Sequence, residues 1–419
     1  MEIPALYKLY IKHFLVDTDT RSIRKNTIFF ALKGDNFNGN KFAEKALKLG
    51  SSYAIVDEEK FKTKENIILV DDVLKTLQKL ANYHRKQLNI PIISLTGSNG
   101  KTTTKELISV VLNKKYNTIA TKGNLNNHIG VPLTLLSMNP KHELGIVEMG
   151  ANHQKEIEFL CSICEPNFGY ITNFGKAHLE GFGGIKGVIK GKSELFTYLK
   201  ENNKIAFVNP ADEIQIEKTK NIETIYFNSD NIKFIDMNPF VNLSYKNTII
   251  NSNLIGNYNY NNILAAITIG EYFKVTEEDI KEAIENYTPQ NNRSQVIETK
   301  TNKIILDAYN ANPSSMKVAL ENFDSLPDNN KTIILGDMFE LGEDSLIEHQ
   351  AIVHLSDSLG FKNQFFVGEN FHQTKTKKKQ FKTFEELEDF IKNNPLENQS
   401  ILIKGSRGMC LERILESIS

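Results

Sequence analysis

The 419-residue chain carries 50 basic and 51 acidic side chains, a formal net charge of -1, with 40% hydrophobic residues and three cysteines. Near-neutrality excludes a global field that recruits nucleic acid or an anionic membrane, so any polyanion must be met by a local site. Three cysteines exclude a disulfide framework, and no apolar run is long enough to span a bilayer. Glu2, Lys8, Lys12 and His13 interrupt the apolar residues at the N-terminus, which leaves no signal-peptide core and predicts a cytoplasmic protein without stable membrane association.

In chain order, residues 27–32, 53–56 and 67–70 read as strands, with a Gly/Asn turn over 34–40 and a helix over 41–49. This is a small α/β unit. A helix over 73–88 leads to Asn89-Ile90-Pro91, which reads as a hinge. From Ile92 onward, short apolar strands at 92–95, 144–148, 169–172 and 205–208 alternate with helices. Such alternation predicts a mostly parallel sheet with ligands at the carboxyl ends of its strands. Residues 211–255 alternate more weakly, with strands at 222–227 and 248–250, and read as an antiparallel extension. A third alternation follows a hinge near 292, with strands at 304–306, 332–335, 365–367 and 401–403, and reads as a Rossmann-like domain. The fold class is thus α/β in three domains, 1–88, 89–292 and 293–419. Cys161 and Cys164 sit on one helical stretch with no second pair to complete a metal site, and are expected to be core thiols. The run Lys375, Lys377, Lys378, Lys379 and Lys382 reads as a solvated loop or helix face.

The most informative stretch is 96–106, Thr-Gly-Ser-Asn-Gly-Lys-Thr-Thr-Thr-Lys-Glu, between an apolar strand and a helical pattern. A strand that turns through Gly97 and Gly100 into a helix aims backbone N–H groups at one point, where the helix dipole favours an anion. Ser98, Asn99 and Thr103 complete this cradle, Lys101 supplies a point cation for terminal phosphates, and Thr102 a hydroxyl for magnesium. Only two residues separate the glycines, where the general phosphate loop has four, and Leu95 stands where the earlier glycine would fall.

Three further stretches carry polar groups to expected strand ends. An Asn-rich turn, 123–132, includes Asn126 and Asn127 and precedes a helix. Glu148 ends a buried strand facing the phosphate loop, placed either to hold magnesium or to serve as a cap or ion-pair partner. His178 follows the strand at 169–172 and precedes a glycine-rich loop, while Lys192 lies on the next helix, where a solvated face is the plain alternative.

Taken together and in this order, these stretches resemble the Mur ligase superfamily, whose shortened ATP loop is shared with folylpolyglutamate synthetases. The resemblance is closest to the branch that adds D-alanyl-D-alanine to UDP-N-acetylmuramoyl-tripeptide. It is carried further by Asp307-Ala308-Tyr309-Asn310-Ala311-Asn312-Pro313, by Leu335-Gly336-Asp337-Met338-Phe339-Glu340-Leu341-Gly342 and by Lys404-Gly405-Ser406-Arg407-Gly408. Asp19-Thr20-Arg21 and 29–34 resemble the family's UDP-sugar domain, and no Asp-Asn-Pro-Arg motif of the diamino-acid-adding branch is present.

The resemblance implies a UDP-substrate domain, a central ATP-binding domain, and a C-terminal domain that completes the ATP site and binds the dipeptide. It also implies roles for single residues. Lys101 and the loop amides would hold ATP phosphates, and Thr102 with Glu148 one magnesium ion. His178 would bind a second magnesium, bridged by carbamylated Lys192. Asn262 would contact adenine, Arg293 the γ-phosphate and Asp307 the ribose. Thr20, Arg21, Lys33, Gly34, Asn126 and Asn127 would contact the UDP-linked substrate. A monomer is expected. Two departures stand out: Tyr258 in Gly256-Asn257-Tyr258-Asn259 where relatives commonly have histidine, and Asn38-Gly39-Asn40 where a Gly-His is commoner. The alternatives are a sister ligase for another amino acid, a folate polyglutamylating enzyme, or a nucleotide-switched binding protein. The last lacks an Asn-Lys-x-Asp guanine-reading motif and would not need His178 and Lys192 beside the phosphates.

Overall fold

Each alternation in the sequence becomes a sheet of the computed structural model, which describes residues 1–227, 230–237, 239–289 and 293–418. The hinge expected near 292 lies outside the described residues. In the first unit Val16–Asp17, Ile28–Phe30, Tyr53–Val56 and Ile67–Leu69 pair in parallel in that order. The apolar runs put Phe29, Ala54, Val56 and Ile67 into a small core of their own.

The helix Val73–Leu88 starts on Asp72, whose side chain accepts from Lys75 N at 2.8 Å, and stops at Asn89 in the left-handed region. It does not merely link two domains. It packs on Ile3–Tyr10 from its own side and on Gly130–Leu135 and Glu156–Cys164 from the central domain. Arg85 donates to Cys164 O at 2.9 Å, and Tyr10 donates to Leu136 O at 2.8 Å. His84 donates through Nε2 to Met138 O at 3.0 Å and accepts from the Tyr7 hydroxyl at Nδ1. Burial pushes its pKa down to about 4, so the folded chain holds a neutral imidazole in this seam.

The central sheet is six-stranded and wholly parallel, in the order Glu223–Tyr226, Ile205–Val208, Phe168–Ile171, Ile92–Thr96, Leu144–Glu148, Thr118–Ala120. Ile92–Thr96 lies where the direction of winding reverses, so its carboxyl end opens on the crevice where such sheets take ligands. The expectation of an antiparallel extension is corrected in part. Glu223–Tyr226 is the parallel edge of this sheet, and only Ile232–Met237, Phe240–Tyr245 and Thr248–Ile255 form an antiparallel sheet. The edge strand has two half-buried residues between exposed ends, a pattern that does not distinguish the two pairings.

The third unit is a six-stranded sheet in the order Gln295–Glu298, Lys303–Asp307, Ser400–Lys404, Lys331–Gly336, Asn363–Val367, Lys379–Phe381, antiparallel only at its first pair. Lys379, expected in a solvated loop or helix face, is on the exposed edge strand of this sheet. Cys161 and Cys164 are buried on one helix, as read from the sequence.

Candidate active site

A cleft of about 690 Å³ lies where the central and C-terminal units meet. Its floor is the phosphate loop, held from behind by the residues after the strand Phe168–Ile171. Ser98 N donates to Asn173 O at 3.1 Å and Asn99 N to Asn173 Oδ1 at 3.0 Å, while Thr172 Oγ1 donates to Asn99 O at 2.6 Å. Gly97, at φ 144°, passes so close to this support that a Cβ would stand 2.0 Å from Thr172 Oγ1. Gly100, at φ 80°, precedes the helix Lys101–Leu112, and a Cβ there would meet Asn262 Oδ1 at 2.8 Å. Only glycine meets both demands at either position. Lys101, Thr102 and Thr103 line the cleft with the first helical turn, whose N–H groups lack intrahelical acceptors.

The Lys101 ammonium rests on the loop's own carbonyls, donating to Gly97 O at 2.7 Å and Ser98 O at 3.3 Å. Burial, with Arg293 adding repulsion, holds its pKa below the ordinary lysine value although Glu148 opposes the shift. Thr102 Oγ1 donates to Glu148 Oε2 at 3.0 Å, and Asn126 Nδ2 donates to Glu148 Oε1 at 2.9 Å. Hydroxyl and carboxylate thus stand together at the helix start, a donor set that suits a magnesium ion also bound by phosphate oxygens. Asn126 and Asn127 line the same cleft.

Lys192 is fully buried, on the helix Ile185–Lys192, not on a solvated face. Its Nζ donates to Ala151 O at 3.1 Å and lies 5.1 Å from the centre of the Phe182 ring. Burial, then the charge of Lys101, drives its pKa well below the ordinary value. A buried amine kept neutral is the form to which CO2 adds, so this environment fits the carbamate implied by the resemblance. His178 lines the cleft, but its Nδ1 donates to Glu340 of the C-terminal domain, and no hydrogen bond joins it to unmodified Lys192.

From the C-terminal side come Arg293, Asp307, Tyr309 and Lys404. The Arg293 guanidinium stacks on the Tyr309 ring at 3.8 Å, and Lys404 Nζ donates to Asp307 Oδ2 at 2.5 Å. Asn262 accepts from Thr104 Oγ1 at 3.0 Å and donates to Asn259 Oδ1 at 2.8 Å, at the cleft wall. The Tyr258 hydroxyl pairs with Ser294 Oγ while its ring packs over Gly256, so this position both hydrogen-bonds and packs.

Thr20, Arg21, Lys33 and Gly34 are not brought to this cleft. Arg21 pairs with Asp19 at 2.5 Å and Lys33 with Asp57 at 3.0 Å, on the N-terminal unit. Asn38 and Asn40 are spent on Glu58, Asp57 and each other. Sequence reasoning did not single out Tyr309, Asn312, Lys404 or Glu340 individually, although each lies within a quoted motif; what was missing was the spatial partner of each.

Models of three families match in succession: the Mur ligase family, catalytic domain over 13–85, the Mur ligase middle domain over 95–270, and the Mur ligase, glutamate ligase domain over 292–407. The UDP-N-acetylmuramoyl-tripeptide--D-alanyl-D-alanine ligase of Bacillus subtilis (strain 168) is 34% identical over 96% of this chain and 92% of its own. That of Escherichia coli (strain K12) is 31% identical over 96% and 93%. The crystal structure I of MurF from Acinetobacter baumannii superposes with a TM-score of 0.86 at 30% identity, covering 96% of this chain and 92% of that one. MurF from Thermotoga maritima in complex with ADP gives 0.83 at 26% identity, covering 96% of each. Matched by these models in succession and 34% identical over 96% of its length to a curated relative, the chain belongs to the Mur ligase family.

Proposed function

We propose that the chain is an ATP-dependent, ADP-forming ligase that joins D-alanyl-D-alanine to UDP-N-acetylmuramoyl-tripeptide in peptidoglycan precursor synthesis, in the cytoplasm. The observation that carries this reading is the convergence of the phosphate loop, the Thr102–Glu148 pair and the C-terminal Arg293 and Asp307 on one cleft. Relatives alike over 96% of the chain bear that activity in their names, and the ADP complex of one structural relative supports the nucleotide.

The carboxylate of the tripeptide attacks the γ-phosphate of ATP and ADP leaves; the amine of the dipeptide then attacks the carbonyl of the resulting acyl phosphate, phosphate leaves, and the nitrogen gives up a proton as the amide forms. Lys101 would exchange its loop carbonyls for phosphate oxygens, Arg293 would meet the γ-phosphate, and Asp307 and Asn262 would hold ribose and adenine. Magnesium, held by Thr102 with Glu148 and by His178 with carbamylated Lys192, would neutralise charge on the transferred phosphoryl group. Thr20, Arg21, Lys33 and Gly34 would take the UDP end, with Asn126 and Asn127 nearer the reacting carboxylate. The domains at 1–88, 89–292 and 293–419 would then divide the work as UDP-substrate, ATP and dipeptide domains.

Phosphate release measured over a panel of UDP-linked peptides and amino-acid acceptors tests the reading. Release that requires both the tripeptide and D-alanyl-D-alanine is expected. Nucleotide hydrolysis indifferent to the acceptor would point to a binding protein, and preference for another acceptor to a sister ligase.

A further inference from the structure

His178 lines the cleft from the central domain and takes its side-chain partner from the C-terminal domain. Its backbone sits in the left-handed region at φ 53°, just after the phosphate-loop support, and its Nδ1 meets the carboxylate of Glu340. Glu340 is itself left-handed, at φ 61°. Two non-glycine residues thus hold an uncommon backbone conformation at the point where the domains touch.

The loop that carries Glu340 is built on a buried base. Asp337, 2% exposed, accepts from Asn370 N at 2.9 Å and Phe371 N at 2.8 Å. The fully buried His349 accepts from Met338 N at 3.0 Å and donates to Ser345 O at 2.7 Å. Beyond Glu340, Gly342 at φ 57° lets the loop pass Glu180, where a Cβ would come within 3.2 Å. A half-exposed ion pair contributes little to stability, so this scaffolding is out of proportion to a merely cohesive contact.

We propose that Glu340 is a positioning residue that couples domain closure to the state of His178: when the C-terminal domain is seated, its carboxylate accepts from Nδ1–H and fixes the tautomer that leaves the Nε2 lone pair free for a ligand in the cleft. Carboxylate partners fix ligand histidines in this way at other sites. When the domains part, Glu340 leaves with its own domain and the ring is released. The inference rests on the ligase reading of the cleft, which assigns His178 to magnesium.

The test uses the full chain with 15N-labelled histidine, the His178 signals being assigned by their loss in His178→Gln. The ring 15N shifts report its tautomer without turnover. The wild type should show Nδ1 protonated and Nε2 bare. Glu340→Ala should give a tautomer mixture and a fall in kcat of about 10–100-fold with the KM for ATP nearly unchanged, whereas Glu340→Gln, which still accepts through Oε1, should keep the tautomer and most of kcat. Glu348→Ala removes the neighbouring cross-domain contact with Lys176 (2.5 Å) and should leave the ring unaffected. An unaltered tautomer and kcat in Glu340→Ala would overturn the proposal, as would equal losses in Glu340→Gln or in Glu348→Ala. A wild type that shows the fixed tautomer but no ligation would sink the ligase reading while leaving the positioning role standing.

Discussion

Desolvation lowers the pKa of both Lys101 and Lys192, but Lys101 opens on the cleft whereas Lys192 is fully buried. Lys101 keeps two carbonyl acceptors and a carboxylate in its field, which suits an ammonium waiting for phosphate. Lys101→Ala should therefore cut kcat/KM by about 10²–10³-fold with the fold intact by circular dichroism, since the lost cation acts on charge in the transition state. Lys192 is fully buried on one carbonyl acceptor, and burial, then the charge of Lys101, outweighs Glu156, Glu194 and Glu148 and favours the neutral amine. Lys192→Ala should lose most activity, and added acetate or formate should restore part of it by supplying an oxygen anion. If arginine substitutes better and carboxylates do nothing, Lys192 works as a cation. Gly97→Ala tests the loop itself: with φ at 144° and Thr172 in the way, urea unfolding should show a loss of about 1–3 kcal/mol, and nucleotide affinity should fall with it.

At the scale of elements, the helix Val73–Leu88 makes the N-terminal unit part of the central one. His84 has a folded pKa of about 4 against an ordinary value of 6.5. Between those values the unfolded chain binds a proton that the folded chain refuses, so stability is full above pH 6.5 and falls as the pH drops toward 4. Wild type should lose more stability than His84→Gln over that window in denaturant titrations at each pH; parallel losses would mean that the seam does not depend on this imidazole. That helix was legible to the residue, because Asp72 and Asn89 punctuate a strong apolar period. The strands Leu144–Glu148 and Ile205–Val208 were equally legible as short apolar runs. Glu223–Tyr226 was not assigned to the parallel sheet, because a short half-exposed edge has no period that reveals its partner. Lys192 illustrates the limit most sharply: it follows Lys186 and Lys190 on a lysine-rich helix, and nothing in composition distinguishes the one turned into the core.

At the scale of the whole molecule, the cleft exists only because the C-terminal domain is seated on the phosphate-loop face. Asn312 Nδ2 donates to Asn99 Oδ1 at 2.8 Å, and Lys176 N donates to Ser314 Oγ at 2.8 Å. The motifs on both sides were legible in the sequence, but their meeting was not, since the residues in contact are separated by more than a hundred positions. ATP contacts both faces in this account and should favour the closed arrangement. Solution scattering should show a smaller radius of gyration with ATP and the UDP-tripeptide than without; no change would mean that closure does not await the nucleotide.

The central claim is that this cleft activates a carboxylate by transferring the γ-phosphoryl group to it. Tripeptide substrate labelled with 18O in both oxygens of the reacting carboxylate tests this directly, with the released phosphate analysed by mass. If an acyl phosphate forms and the amine displaces phosphate from its carbonyl, each phosphate should carry one 18O atom from the substrate. Phosphate released without label while the amide product forms would mean that the γ-phosphoryl group went to water, and would contradict the account.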